Sequence, residues 1–222
     1  MCGRYTLTAP EGLSERFDVR EAGPGEARYN IAPAQLVTAI LGQAGHRTTR
    51  RLRWGFRPSW AREESSHPAP INARAETLLD RPLFRDALTT GRCLIPADGF
   101  YEWQVTPSGA RQPVYIRRRD GGLFAFAGLC ATTRAEGQAG GATCAIVTCA
   151  PNALVATVHG RMPAILTPEV EALWLDADQT SDQTLALLRP YPAELLEAYK
   201  VPPLVNDARR EDATLIRPLA AA

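Results

Sequence analysis

Cys2, in the opening Met1-Cys2-Gly3-Arg4-Tyr5, carries the most distinctive chemistry in the chain. Its small side chain permits removal of Met1, which would leave a free thiol and a free α-amine on neighbouring carbons. The reference pKa of an α-amine is about 7.7–8.0 and that of a thiol about 8.5, against about 10.4 for a lysine amine. Both nucleophiles are therefore partly available near neutral pH. An aldehyde meeting this 1,2-aminothiol forms an imine with the amine, and the thiol then closes a five-membered thiazolidine. Of the 25 Lys and Arg residues only Lys200 is a lysine. Lys200 and the N-terminal amine are thus the only primary amines open to imine chemistry. The plainer alternative is an arbitrary residue in a frayed terminus.

Further along lie polar residues that sit oddly in their surroundings. Glu102 falls among aromatics in Ile95-Pro-Ala-Asp-Gly-Phe-Tyr-Glu-Trp103, and in a strand it shares a face with Phe100 and Gln104. A carboxylate in an apolar wall has a raised pKa and serves as a general acid or base, whereas one facing outward is ordinary surface. His159, in Val158-His-Gly-Arg-Met-Pro163, follows an apolar stretch and titrates near neutrality, which suits proton transfer. A satisfied structural histidine is the other reading. His46 in a Gly-flanked turn and His67 in a Pro-rich loop read as solvated. Asn72 in Ile71-Asn-Ala-Arg-Ala-Glu-Thr77 either caps a following helix or holds a reacting amine or oxygen with its amide. Arg74 is either a surface charge or a phosphate clamp. Trp54 and Trp60 flank a long loop, and an exposed tryptophan there would stack on a base. Trp54, in an alternating strand, reads as core.

These residues need elements to position them. The chain has 222 residues, 45% hydrophobic and 22% charged, which suits one soluble domain with a real core. A net charge of +1 does not signal a globally basic nucleic-acid binder, although a local arginine groove is compatible with it. There is no run of about 18 apolar residues and no signal-peptide pattern, so no membrane span or export is expected. Five cysteines without a CxxC pair indicate neither a disulfide framework nor a zinc finger, and a reducing cytoplasm is the simplest setting.

Periodicity predicts a short helix over 10–19 and strands over 36–41 and 47–56. A long loop over 57–71 and one or two short helices over 73–89 follow. Strands are expected over 92–95, 99–105, 113–119, 123–130, 143–149 and 163–166. Asp120-Gly121-Gly122 marks a hairpin and residues 137–141 a flexible turn. The tail reads as helical over 168–175, 180–189 and 193–199. Many strands with peripheral helices, not in regular alternation, and no GxGxxG argue for an α+β domain over 1–222 and against a Rossmann sheet.

The segments MCGRY (1–5), RYNIAP (28–33), WGFRPSW (54–60), INARAET (71–77), RCLIPADGFYEW (92–103), AIVTCAPN (145–152) and HGRMPAIL (159–166) together resemble the SRAP family. The likeness runs from Cys2 to about residue 217. It implies an α+β domain with a mixed, largely antiparallel, curved and barrel-like sheet core. It also implies covalent capture of abasic sites in single-stranded DNA during the DNA damage response. Carried over residue by residue, Cys2 is the nucleophile and Asn72, Glu102 and His159 complete the catalytic group. Arg4, Arg74 and Arg161 are implied at DNA phosphates, Thr148 beside that backbone path, and Trp60 in the loop that parts or stacks bases. Arg62, Glu63 and Glu64 in this loop, and the partial match at Val205, Asn206 and Asp207, depart from the pattern. No metal or organic cofactor is implied. The expected protein is a cytoplasmic monomer, nucleoid-associated when bound to DNA. Two other readings use the same residues: a cysteine peptidase or N-terminal-nucleophile hydrolase, including self-removal of Met1, and a non-covalent single-stranded-DNA lesion sensor.

Overall fold

A computed structural model describes residues 2–20, 25–42, 46–61, 69–132 and 141–219. The chain opens with β1 (Tyr5–Leu7), a 3-10 turn at Pro10–Gly12 and α1 (Leu13–Phe17). Strands β2 (Arg28–Ile31), β3 (Leu36–Leu41), β4 (Thr48–Trp54) and β5 (Asn72–Arg74) follow, then α2 (Pro82–Thr90). The central run is β6 (Arg92–Ala97), β7 (Gly99–Val105), β8 (Arg111–Arg118), β9 (Phe124–Thr132) and β10 (Ala142–Cys149). Short strands β11 (Met162–Pro163) and β12 (Ile165–Leu166) precede α3 (Pro168–Leu175), α4 (Ser181–Ala186) and β13 (Leu196–Lys200).

The architecture is α+β, with curved sheets. In one sheet the order β10-β4-β3-β6-β9 closes on itself, because β9 also pairs with β10. Among the described strands the parallel pairings are β10 with β4 and β10 with β5. A closed ring leaves no unpaired edge, and it lets strands be apolar throughout. All six residues of β6 are buried, as are seven of the eight in β10. In β4 the expected alternation holds, with Leu52 and Trp54 buried and Arg51 and Arg53 exposed.

A second, five-stranded sheet has the order β13-β8-β7-β1-β2. Its central strand β7 turns Phe100 into the main core and Tyr101 into a smaller cluster with Tyr115, Val201, Val205 and Leu215. The two sheets meet at β1. Tyr5 pairs with Phe100 of β7, and its ring packs edge-on against Trp54 at 5.4 Å and Phe126 at 5.7 Å. Each such ring excludes roughly 1.5–3 kcal/mol worth of apolar surface from water. The segment leading into β1 is consequently pinned, not frayed: Cys2 is fully buried.

Three expectations from the sequence need correction. Asn72 does not cap a helix; it begins strand β5, and a 3-10 turn follows at Ala75–Thr77. Residues 193–199 are not helical beyond a 3-10 turn at Ala193–Leu195, because Leu196–Lys200 adds to the free edge of β8. There the Glu197 carboxylate accepts from Arg117 Nε at 2.7 Å, and the Arg117 guanidinium lies 5.7 Å from the Tyr199 ring centre. Those cross-strand contacts outweigh the helical preference of Leu-Glu-Ala. The expected helix over 180–189 shortens to Ser181–Ala186, its start fixed by a capping box between Thr180 and Gln183. His46 is exposed, as expected. His67, Arg62, Glu63, Glu64 and most of the Gly-rich turn over 137–141 lie outside the described residues. No helix among the described residues is long and apolar enough to cross a membrane.

Candidate active site

The N-terminal segment extends β1 alongside β7, with Tyr101 N–H donating to the Arg4 carbonyl at 3.0 Å. This antiparallel run brings Cys2 to Glu102. From the other side β5, held in register by β10 through Ile146–Asn72 and Thr148–Arg74, delivers Asn72. Asn72 Nδ2 donates to the Cys2 carbonyl at 2.9 Å, while its Oδ1 is buried without a hydrogen-bond partner. The Cys2 thiol donates to the Arg4 carbonyl at 3.8 Å. His159 lies in the turn before β11, with Nδ1 4.0 Å from Glu102 Oε1. Four residues separated by up to 157 positions therefore form one cluster at the seam of the two sheets.

The electrostatics of this cluster follow from burial. Glu102 is 2% exposed, and desolvation pushes its carboxyl above the usual carboxylate range, with His159 pulling the other way. The Cys2 thiol is pushed far upward, first by burial and then by Glu102, so it rests as the neutral thiol. Arg161 N–H donates to His159 Nδ1 at 3.0 Å. The same Nδ1 lies 3.2 Å from the Arg161 carbonyl, so whether it donates or accepts follows the ring's tautomer.

The arginines separate into different environments. Arg161 donates to both carboxylate oxygens of Glu76, at 2.7 and 2.9 Å, and to the carbonyl and hydroxyl oxygens of Thr148. Thr148 is fully buried on β10 and its hydroxyl donates to the Ala73 carbonyl at 3.5 Å. Arg74, the register partner of Thr148, is exposed. Arg4 instead points into the fold, donating to Asn30 Oδ1 at 3.1 Å and to the Val205 carbonyl at 2.6 Å. Burial lowers its pKa, with Asp207 opposing the shift. Trp60 is 62% exposed at the edge of the 57–61 segment.

Two residues that the sequence reading passed over complete this region. Glu76 locks Arg161, and its own carboxyl is lowered chiefly by the hydrogen bond from that guanidinium. Asn30 is fully buried and donates to the carbonyls of Val205, Asp207 and Arg210, tying the C-terminal segment to Arg4. Both stand inside motifs already singled out, INARAET and RYNIAP, yet nothing local marks their partners. A cavity of about 560 Å³ over β2–β4, lined by Leu7, Leu13, Arg28, Val37 and Arg51 among others, includes none of the cluster residues.

These features define an α+β protein with a closed sheet, an N-terminal cysteine held at the seam, and a carboxylate–histidine pair beside it. Residues 1–208 match the SRAP family model, "SOS response associated peptidase", and the chain belongs to this family. It is 41% identical over 221 residues to the abasic site processing protein YoaM of Bacillus subtilis, covering 97% of each chain. It is likewise 41% identical over 221 residues to YoqW of the same organism, also named an abasic site processing protein, covering 97% of this chain and 99% of that one. A crystal structure of a protein from Bacteroides thetaiotaomicron shares the fold, with a TM-score of 0.86 at 24% identity, covering 98% of this chain and all of the other.

Proposed function

We propose that this protein processes abasic sites by covalent capture, using the amine and thiol of Cys2 together once Met1 is removed. The observation that carries the reading is the seating of Cys2. Its carbonyl is held by Asn72 Nδ2 at 2.9 Å while the residue lies beside Glu102. An abasic deoxyribose equilibrates between a cyclic hemiacetal and an open aldehyde. The α-amine adds to the aldehyde carbon C1′, and the carbinolamine loses water to give the imine. The thiol then adds to the imine carbon, its proton passing to nitrogen, and the thiazolidine closes. Both nucleophiles belong to one residue, so closure is intramolecular, a situation in which effective molarities reach ~10⁵ M or more. Closure removes the imine that would otherwise promote β-elimination, and the strand is shielded instead of cut.

Glu102, whose pKa is raised by burial, suits proton exchange with the departing hydroxyl. His159, with Nδ1 turned to the Arg161 backbone, offers Nε2 for the sugar. Asn72 Oδ1, a buried acceptor lacking a partner, suits an N–H of the freed amine. Arg74 and Arg161 serve the flanking phosphates, with Thr148 backing Arg161, and Trp60 serves an unstacked base. Arg4 contributes by fixing the backbone behind Cys2, and any phosphate contact needs it to leave Asn30. The substrate is single-stranded DNA, where an unpaired sugar is cheaper to reach. The protein acts as a cytoplasmic monomer. A peptidase reading requires a Cys2 thiolate, which burial and Glu102 both oppose.

The test is mass spectrometry of protein beginning at Cys2, mixed with single-stranded DNA containing one abasic site. A stable adduct on residue 2, absent in Cys2→Ala and in protein retaining Met1, is expected. An adduct that persists in Cys2→Ala, or maps to Lys200, overturns the proposal, and turnover of peptides would favour the hydrolase.

A further inference from the structure

Three of the remaining cysteines gather on one face of the closed sheet, away from Cys2. Cys130 on β9 lies directly opposite Cys144 on β10. On its other side Cys130 N–H donates to the Gly91 carbonyl at 2.6 Å, and Cys93 on β6 pairs with Gly128. Residues 128 and 130 share a face, so Cys93 is the diagonal neighbour of Cys130. Gly128 makes room for this arrangement. A Cβ there would stand 2.7 Å from Cys93 Sγ, so that sulfur leans over the bare backbone of β9 towards Cys130. All three thiols are free; Cys93 and Cys144 are buried and Cys130 is partly exposed. Cys130 also lines a cavity of about 290 Å³ with Phe56, Leu83, Ala87 and Thr90, which gives a small molecule a way in.

We infer that Cys130 and Cys93 form a peroxide-sensing thiol pair, a modification site separate from the Cys2 cluster. The chemistry begins at Cys130. Its thiol is lowered by a hydrogen bond from Cys93, against the effect of burial, with Arg50 adding a favourable charge; Cys93 is correspondingly raised. Low pKa with access is what makes a cysteine reactive. The Cys130 thiolate attacks one oxygen of hydrogen peroxide, the O–O bond breaks, and the hydroxide leaving takes a proton to become water. Cys93 sulfur then attacks the sulfenic sulfur of Cys130, the S–O bond breaks, and the second hydroxide leaves as water with the Cys93 proton. Two thiols lose two electrons and one peroxide becomes two waters. A thiol on the diagonal neighbour closes the disulfide faster than a further peroxide can over-oxidise the sulfenate.

The experiment treats the folded full chain with hydrogen peroxide, blocks free thiols, and maps cysteine peptides by mass without reduction. The expected result is a Cys93–Cys130 cross-linked peptide, two hydrogens lighter than the sum of its parts and released by dithiothreitol. In Cys93→Ala the link is lost and dimedone traps a sulfenate at Cys130. The wild-type map needs no variant, so poor folding of Cys93→Ala leaves the test intact. Cys130 remaining a free thiol while Cys2 or Cys149 oxidises overturns the inference. A link from Cys130 to Cys144 instead refutes the assignment of Cys93. Neither result depends on capture of abasic DNA.

Discussion

Asn72→Ala separates the role of Cys2 positioning from that of stability. The wild-type side chain makes one hydrogen bond of 2.9 Å to the Cys2 carbonyl, and a typical bond of this kind contributes roughly 0.5–1.5 kcal/mol net. The same side chain buries Oδ1 without a partner, a penalty of about 1–3 kcal/mol. Alanine removes that penalty but leaves the buried Cys2 carbonyl without its donor, a penalty of similar size, so the lost bond is what remains. The net change in stability should be about 1 kcal/mol, a shift of roughly 2–4 °C in Tm for a domain of this size. Capture should respond quite differently. A displacement of the reacting atoms by about 1 Å costs on the order of 100-fold. With the Cys2 carbonyl released and no acceptor for the amine, a loss of tenfold to 100-fold in the single-turnover crosslinking rate is expected at saturating DNA. The assay is a denaturing gel time course on abasic single-stranded DNA, run beside a thermal melt of the same protein. A variant that melts like wild type and crosslinks within twofold of it would show that the Asn72–Cys2 bond positions nothing that matters.

Glu102→Gln should lower the crosslinking rate by about 10²-fold or more, the usual contribution of a general acid–base group. It should also stabilise the protein at neutral pH: the carboxyl's folded-state pKa is raised, so its ionisation destabilises the fold progressively as pH rises from the ordinary carboxylate pKa through the folded one. Melting curves of variant and wild type should therefore converge in acid and separate above it, and a variant less stable at neutral pH contradicts this. Arg74→Ala should weaken binding to single strands of any sequence and reduce the log–log salt slope by about 1, measured by fluorescence anisotropy. Glu76→Gln, by freeing the Arg161 guanidinium, should tighten that binding at low salt; weaker binding would mean that Arg161 needs its partner more than DNA needs Arg161. Trp60→Ala should leave Tm unchanged and weaken DNA binding by about 1–3 kcal/mol, the range for one stacked base.

Much of this arrangement was legible in the chain because it rests on short-range patterns. The alternation of Leu52 and Trp54 against arginines marked β4, whereas the parity Glu102 shares with Phe100 left it either inward or at the surface, and only its burial decided for the former. What was not legible depended on partners far away in sequence. Residues 196–200 carry helix-forming types, yet the open edge of β8 made them a strand. Asn72 looked like a cap because a polar residue preceded a run of helix formers; pairing with β10 decided otherwise. The bidentate lock on Arg161 comes from Glu76, 85 positions away, and Arg4 is engaged by a carbonyl 201 positions away. Motif reading marked Arg4, Arg74 and Arg161 alike, although only Arg74 projects freely from its strand.

The physical contrast within Cys2 bears on which of its two nucleophiles acts first. Burial acts against charge, and for a thiol it disfavours the anion, an effect that Glu102 reinforces. The reactive form of an amine is the neutral one, so the same burial favours it. Taking Cys2 out of water therefore suppresses the thiolate, while for the amine burial favours the neutral form and the Glu102 carboxylate opposes it. A site built for a thiolate nucleophile would place a cation or a helix N-terminus beside the sulfur; here burial and the Glu102 carboxylate push the thiol towards its neutral form. In the proposed capture the thiol is needed only after the imine exists, when an electrophilic carbon is already attached to the same residue and a neutral thiol can add with its proton passing to nitrogen. For the proposed capture, the suppressed thiolate argues for amine first and thiol second. Cys2→Ser should accordingly still form an imine that borohydride traps, while losing the stable ring; a variant that forms no trappable imine would reverse that order.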